Sequence, residues 1–328
     1  MTIIVTGAAG FIGYHVSEAL PARGARVIGI DNVNAYYDTR LKEGRLQRLA
    51  RHDAFAFHRV DITDRDAIGR IFAGDGDVTG VIHLAAQAGV RYSVDNPYAY
   101  VESNLMGQVV LLEAAKTLPR LRHFVYASSS SVYGLNEEVP FAETDRTDRP
   151  ISLYAATKKS CEAITHSYSH LFRLPMTGLR FFTAYGPWGR PDMAYFIFAK
   201  AILEDRPIEV FNKGDMRRDF TYIDDIVAGI LAVLDRPPTD MSPAEPPYRI
   251  YNLGNSRTEP LGRFIDVLED ALGRKAQRVM LPMQAGDVRE TFADITASRR
   301  DFGYDPKTPI DEGLRRFADW YRSFHGAP

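Results

Sequence analysis

The chain has 328 residues, with 40 Lys and Arg against 42 Asp and Glu, a formal charge of −2. At 45% hydrophobic and 25% charged it has the composition of an ordinary globular protein, which excludes intrinsic disorder and collagen-like structure. Near-neutrality gives no global signature for nucleic acid or an anionic membrane, and a single cysteine, Cys161, excludes an intrachain disulfide and a cysteine-rich metal site. No run of 18 or more apolar residues offers a bilayer span. Met1 leads straight into strand-like residues, so no signal peptide is expected, and a reducing, cytoplasmic compartment is the expected setting.

The β-branched run Thr2–Thr6 opens the chain as a strand. Gly7-Ala8-Ala9-Gly10-Phe11-Ile12-Gly13 follows, with glycines at i, i+3 and i+6, and Phe11–Leu20 reads as a helix. Arg26–Ile30 is a second strand and ends on Asp31; Ala54–Val60 is a third and ends on Asp61-Ile62. The charged stretch with Arg40, Lys42, Arg45, Arg48 and Arg51 reads as a solvated helical face. Gly80–Leu84, His123–Ala127 and Met176–Phe181 are further strands, and Leu105–Lys116 and Tyr154–Phe172 further helices. The alternation predicts βαβ units and a doubly wound α/β fold of Rossmann type, its parallel sheet covered on both faces. From Thr183 the regularity fades into Gly- and Pro-marked loops. Arg236–Pro247 holds Pro237, Pro238, Pro243, Pro246 and Pro247 and reads as an exposed connection into a strand at Tyr248–Leu253. The division expected is a nucleotide-binding domain over 1–180 and a smaller mixed α/β substrate lobe over 181–328, with some chain crossing back.

The first glycine cluster suits a pyrophosphate. Gly7 permits a tight turn, Gly10 close approach of an anion, and Gly13 close packing of helix on strand, while the helix start offers free N–H groups. Asp31 at the end of the second strand can accept both hydroxyls of an adenosine ribose, which favours NAD over NADP. Asp61 and Ile62 stand where adenine would lie.

Tyr154 and Lys158, at i and i+4, share one helical face. A phenol is ordinarily protonated near neutral pH, and a neighbouring ammonium together with a cationic nicotinamide favours the phenolate, so Tyr154 is a plausible general base. Lys158 can also hold the nicotinamide ribose. Ser128-Ser129-Ser130-Ser131-Val132-Tyr133-Gly134 ends the fifth strand at the edge where ligands bind an open parallel sheet. Cys161, with no base beside it, reads as a small buried residue rather than a nucleophile.

Together, Gly-x-x-Gly-x-x-Gly, the serine-rich strand end and Tyr-x-x-x-Lys resemble the extended short-chain dehydrogenase/reductase superfamily over essentially the whole chain. Leu84-Ala85-Ala86, Asn104, Leu179-Arg180, Arg218–Asp225 and Gly286-Asp287-Val288 resemble its nucleotide-sugar epimerases and dehydratases. That resemblance implies Ser129, 25 residues before Tyr154, as the catalytic Ser/Thr. It implies NAD held by Gly7, Gly10, Phe11, Ile12, Gly13, Asp31, Asn32, Asp61, Ile62, Leu84, Ala85, Ala86 and Asn104 beside Tyr154 and Lys158. Dehydratases carry Asp-Glu after the catalytic Ser/Thr; Ser130 and Ser131 stand there instead and argue against dehydration.

The segments Asp31-Asn32-Val33-Asn34-Ala35-Tyr36-Tyr37-Asp38, Ala88–Ser93 and Phe181–Ala194 resemble the UDP-glucuronate 4-epimerases. This implies a UDP-hexuronate substrate, no metal and a homodimer built on the helices near 104–116 and 154–172. Arg190 is a natural bidentate partner for the hexuronate carboxylate, with Thr183, Ser129 and Ser130 as hydroxyl partners and Arg91 as a second cation. The resemblance further implies Arg218 and Arg289 at the diphosphate, Glu209 and Phe211 at uracil, and Asp294 at the UDP ribose. A UDP-glucuronate decarboxylase, a neutral-sugar epimerase acting on UDP-glucose and UDP-galactose, and a non-catalytic NAD sensor remain as alternatives.

Overall fold

The computed structural model describes every residue except Asp240, Met241, Pro243, Ala285, Gly286, Ala327 and Pro328; Pro243 of the proline-rich connection and Gly286 of the Gly286-Asp287-Val288 motif therefore lie outside the described residues. The first part of the chain runs β1 (Thr2–Thr6), α1 (Phe11–Ala19), β2 (Arg26–Asp31), α2 (Thr39–Leu49), β3 (Phe55–Arg59), α3 (Arg65–Ala73) and β4 (Val78–His83). Two short helices, α4 (Tyr92–Asp95) and α5 (Pro97–Tyr100), lead through a π-helical stretch at Val101–Met106 into α6 (Gly107–Ala115). β5 (His123–Ser129), α7 (Leu153–Phe172) and β6 (Met176–Phe181) complete the alternation. Beyond it come β7 (Thr183–Tyr185), α8 (Ala194–Leu203), β8 (Ile208–Val210), β9 (Arg217–Arg218), β10 (Phe220–Tyr222) and α9 (Ile223–Leu234). The chain ends with β11 (Tyr248–Leu253), β12 (Glu259–Pro260), α10 (Leu261–Leu272), β13 (Arg278–Met280), α11 (Thr296–Phe302) and α12 (Ile310–His325).

Seven strands form one parallel sheet in the order β11-β6-β5-β4-β1-β2-β3. The order reverses between β1 and β4, which creates a crevice at the carboxyl ends of those strands. Side chains alternate across the sheet: Ile3 and Val5 of β1 enter the core beneath α1 and α9, and Ile4 enters the core beneath α3, α6 and α7. Both faces are covered, so β1 reads as a continuous apolar run. The fold is the doubly wound Rossmann type, with a smaller lobe of two-stranded ribbons (β7 with β10, β9 with β12, β8 with β13) and the last helices.

Two local readings change. The helix expected from Leu105 begins as α only at Gly107, after the π-helical stretch that carries Asn104. The basic stretch is a solvated face only in part: Arg40, Arg48 and Arg51 are exposed, but Lys42 and Arg45 are buried. Arg45 Nη1 donates to the carbonyl of Ala9 (2.7 Å) and to the Tyr37 hydroxyl (2.8 Å). A charge run predicts exposure only when no carbonyls lie within reach of its heads, and here the glycine loop supplies them.

Burial also fixes how the fold responds to acid. His83 Nδ1 lies 2.7 Å from Thr6 Oγ1, His123 sits between the Leu234 carbonyl (3.2 Å) and Thr177 Oγ1 (2.8 Å), and His15 Nε2 meets the Pro187 carbonyl (3.0 Å). Desolvation pushes their pKa values down to about 3, about 4 and about 4 respectively. The unfolded chain protonates near pH 6.5, so their contribution is complete above that pH and is lost as pH falls toward 4. Asp219 opposes them, because burial raises its carboxyl to about 6 and the folded chain keeps a proton that the unfolded chain releases. Three groups against one leave about two protons near pH 5, so these four groups together remove roughly 3 kcal/mol of stability per pH unit there. Denaturant unfolding at pH 7, 6 and 5 should show the midpoint falling steeply below 6, with a shallower slope for His123→Gln. A midpoint flat across that range would contradict the neutral state of these imidazoles.

Candidate active site

The carboxyl ends of the strands around the switch point open on one cleft of about 1210 Å³. At its sheet end lies the glycine loop. Gly7 has φ +72°, and a Cβ there would stand 2.7 Å from the Ala85 amide nitrogen; a Cβ on Gly13 would stand 1.9 Å from the Gly7 carbonyl oxygen. Only glycine allows loop and helix to approach this closely. Asp38, Asp64 and Ser152 cap α2, α3 and α7 with side-chain oxygens, whereas Gly10 caps α1 with none. The first amides of α1, at Phe11 and Ile12, are thus left for an anion.

Asp31 accepts from the amides of Ala9 (3.1 Å) and Val33 (2.7 Å), which seats its carboxylate on the cleft wall. Asn32 donates to Asp61 (2.7 Å), which also accepts from the Thr63 amide and hydroxyl. Burial would raise the Asp61 carboxyl, but these bonds from Thr63 and Asn32 hold it below the usual carboxylate range. Ile62, Leu84, Ala85 and Ala86 line the same end. An uncapped helix start, a loop of glycine and alanine only and a terminal carboxylate together fit a dinucleotide. Asn104 does not line the cleft. Its buried carboxamide accepts from the Gln87 amide (2.9 Å) and donates to the Gln87 carbonyl (3.1 Å) and Thr157 Oγ1 (3.0 Å), tying the loop after β4 to α7.

The Ser152 cap starts α7 so that Tyr154 and Lys158, one turn apart, both face the cleft. Lys158 Nζ donates to the Ala127 carbonyl (2.8 Å), just before the serine run. The register sets Ser128, Arg180 and Asn252 side by side on β5, β6 and β11. Ser128 Oγ donates to Glu162 (2.7 Å), and Glu162 is held by Arg180 through Nε (2.8 Å) and Nη2 (3.0 Å). Ser128 is therefore committed to the buried pair. Ser129 lies on the cleft, its Oγ accepting from the Ser131 amide (3.2 Å), and Ser130 lines the cleft beside it. The Tyr100 ring packs edge-on against Tyr154 at 6.1 Å.

Thr183, Arg190, Glu209, Phe211, Arg218 and Arg91 line the same cleft. The Arg91 guanidinium lies 4.9 Å from the Phe211 ring, a cation–π contact that brings the loop after β4 onto the second lobe. Arg218 donates to Asp287 (2.7 Å) and to the Val288 and Arg289 carbonyls (2.6 and 3.0 Å), and burial pulls its pKa down. Arg289 and Asp294 do not line the cleft. The Arg289 side chain is 72% exposed and pairs with Asp215, while Asp294 accepts from the Thr296 amide (2.8 Å) at the start of α11. Sequence reasoning gave no role to Tyr36, Asp192 or Arg45, although all three lie in segments it singled out.

Residues 3–254 match the model of the NAD dependent epimerase/dehydratase family. The chain is 49% identical to UDP-glucuronate 4-epimerase 1 of Arabidopsis thaliana, over 99% of this chain and 78% of that protein. It is similar to the crystal structure of UDP-glucuronic acid 4-epimerase from Bacillus cereus in complex with UDP-glucuronic acid and NAD, with a TM-score of 0.90 and 36% identity over 99% of this chain and all of the other. UDP-glucose 4-epimerase from Thermotoga maritima, with UDP-glucose, gives a TM-score of 0.88 at 30% identity over 99% of this chain and all of the other.

Proposed function

The chain belongs to the NAD dependent epimerase/dehydratase family, and from that premise we propose that it inverts C4 of UDP-glucuronate to give UDP-galacturonate. It is an isomerase that uses NAD. The observation that carries the choice of substrate is Arg190 with Thr183, a guanidinium and a hydroxyl on the same cleft as Tyr154, Lys158 and Ser129. A neutral hexose offers no charge to that arginine, whereas a hexuronate does. Residues 1–180 supply the cofactor part and 181–328 the sugar-nucleotide part, with β11 crossing back to the first.

Tyr154, as phenolate, takes the C4 hydroxyl proton directly or through Ser129, and the Lys158 ammonium, anchored on Ala127, faces it as counter-charge. Bound NAD⁺ supplies the hydride acceptor and donor. The 4-keto sugar turns about its diphosphate linkage, presents its other face and is reprotonated by Tyr154. Arg218 neutralises the diphosphate, and Phe211 with Glu209 receives the uracil. The keto sugar is a β-keto acid and prone to lose carbon dioxide, so Arg190 and Thr183 hold the carboxylate in an orientation that disfavours C–C cleavage.

Incubation of the purified protein with UDP-glucuronate, followed by chromatography with mass detection, should give a product of unchanged mass that comigrates with UDP-galacturonate. A product lighter by carbon dioxide would make the protein a decarboxylase. Turnover confined to UDP-glucose and UDP-galactose would remove the role given to Arg190.

The working form is a homodimer in the cytoplasm. Tyr98, Val94, Val101 and Met106 are 78%, 79%, 45% and 42% exposed along the segment that leads into α6. A second copy that pairs α6 and α7 with their counterparts covers these side chains, and the buried thiol of Cys161 suits a reducing compartment. Light scattering should give twice the chain mass, and Tyr98→Glu should halve it. A monomeric parent protein would refute the pairing.

A further inference from the structure

The guanidinium of Arg190 already holds a carboxylate within the chain. Nε donates to Asp192 Oδ1 (3.0 Å) and Nη2 to Asp192 Oδ2 (2.5 Å). The second of these oxygens also accepts from the Tyr36 hydroxyl (3.1 Å). Tyr36 comes from the segment after β2, and its ring is tilted against Tyr92 at 4.8 Å.

That segment is itself fixed at both ends. Lys42 Nζ donates to the Asn34 carbonyl (2.9 Å) and side-chain oxygen (2.7 Å). Besides Ala9 and Tyr37, Arg45 reaches the carbonyls of Trp188 (2.6 Å) and Gly189 (3.1 Å) through Nη2. One buried guanidinium thus joins the glycine loop, the Tyr36 segment and the loop that carries Arg190. Burial works against charge on both Arg190 and Asp192. Their mutual attraction prevails, so the arginine is held above and the aspartate below its ordinary pKa, and the pair stays ionised.

An arginine has five N–H donors in a planar fork. Asp192 engages one on Nε and one on Nη2, which leaves the end-on edge formed by Nη1 and Nη2. That edge has the spacing of a second carboxylate. We propose that Asp192 and Tyr36 are positioning residues for acidic-sugar specificity: they clamp Arg190 by one edge and thereby present its other edge to the hexuronate carboxylate. The inference rests on the assignment of Arg190 to that carboxylate. It gives the Asp31–Asp38 segment a physical task, because Tyr36 is the hydroxyl that completes the clamp. Without it, a long flexible side chain would lose its rotamer freedom only when substrate binds.

The test measures affinity of the NAD-loaded protein for UDP-glucuronate and for UDP-xylose, the same sugar nucleotide without the carboxyl group. Asp192→Asn and Tyr36→Phe are nearly isosteric and keep the fold. Asp192→Asn should weaken UDP-glucuronate by about 10-fold or more and Tyr36→Phe by about 5-fold, with UDP-xylose affinity unchanged in both. Equal weakening of both ligands would reduce the clamp to a general structural role and overturn the inference. Arg190→Ala separates this from the underlying assignment. If it too fails to discriminate between the ligands, the assignment of Arg190 is wrong. If it discriminates while Tyr36→Phe and Asp192→Asn bind like the parent protein, the clamp alone is wrong.

Discussion

Tyr154→Phe should cut turnover of UDP-glucuronate by about 10²–10⁴-fold while the protein still binds NAD and the sugar nucleotide. The substitution removes one oxygen and leaves the support of α7 in place. Ser152 still caps the helix, Thr157 Oγ1 still donates to the residue-154 carbonyl (2.9 Å), and the ring still packs against Tyr100. Lys158 keeps its bond to Ala127. What is lost is the group that moves the C4 proton, so the deficit falls in kcat with little change in KM. NAD retention, read from the spectrum of the purified variant, separates this outcome from unfolding. Turnover equal to that of the parent protein would take Tyr154 out of the chemistry and revive the reading of a protein that merely binds NAD.

Arg180→Met should destabilise the fold by about 3–5 kcal/mol, because it takes from a buried carboxylate its buried cation and leaves it only the half-exposed Lys159. Arg180 and Glu162 side chains are 3% and 4% exposed and meet through two hydrogen bonds. Arg180 Nη1 also reaches the Tyr133 hydroxyl (3.1 Å), which donates to Asn252 (2.7 Å), so three strands and α7 meet in one network. Thermal unfolding should drop by roughly 10 °C. Adding Glu162→Gln to Arg180→Met should recover part of that loss, since the stranded charge is removed. A single variant as stable as the parent would mean that the bond Lys159 Nζ already donates to Glu162 (3.1 Å) is enough to hold its charge. Because Ser128 hangs on Glu162, the same variant should also loosen the strand end that carries Ser129.

The amino-acid sequence by itself determined the features whose causes are local. A β-branched run before Gly7, glycines at fixed steps and an apolar helix after them set a strand–turn–helix whose start is free for an anion. The i, i+4 spacing of Tyr154 and Lys158 puts both on one face, and the alternation of strands and helices fixes a doubly wound sheet. These rest on turn chemistry and periodicity, which act over a few residues. Tertiary structure decided the matters that depend on which distant carbonyl or carboxylate a side chain meets. Arg45 resembled a solvated charge until the Ala9, Trp188 and Gly189 carbonyls stood around it. Ser128 and Ser129 are chemically alike, and only the register that sets Arg180 and Glu162 beneath Ser128 leaves Ser129 to the cleft. Arg289 and Asp294 stay off the cleft because their side chains meet Asp215 and the start of α11. Tyr36 and Asp192 stand far apart in sequence and meet because the segment before α2 and the loop after β7 are both bound to Arg45. Pairings of that kind are set by topology and register, and no short-range pattern encodes them.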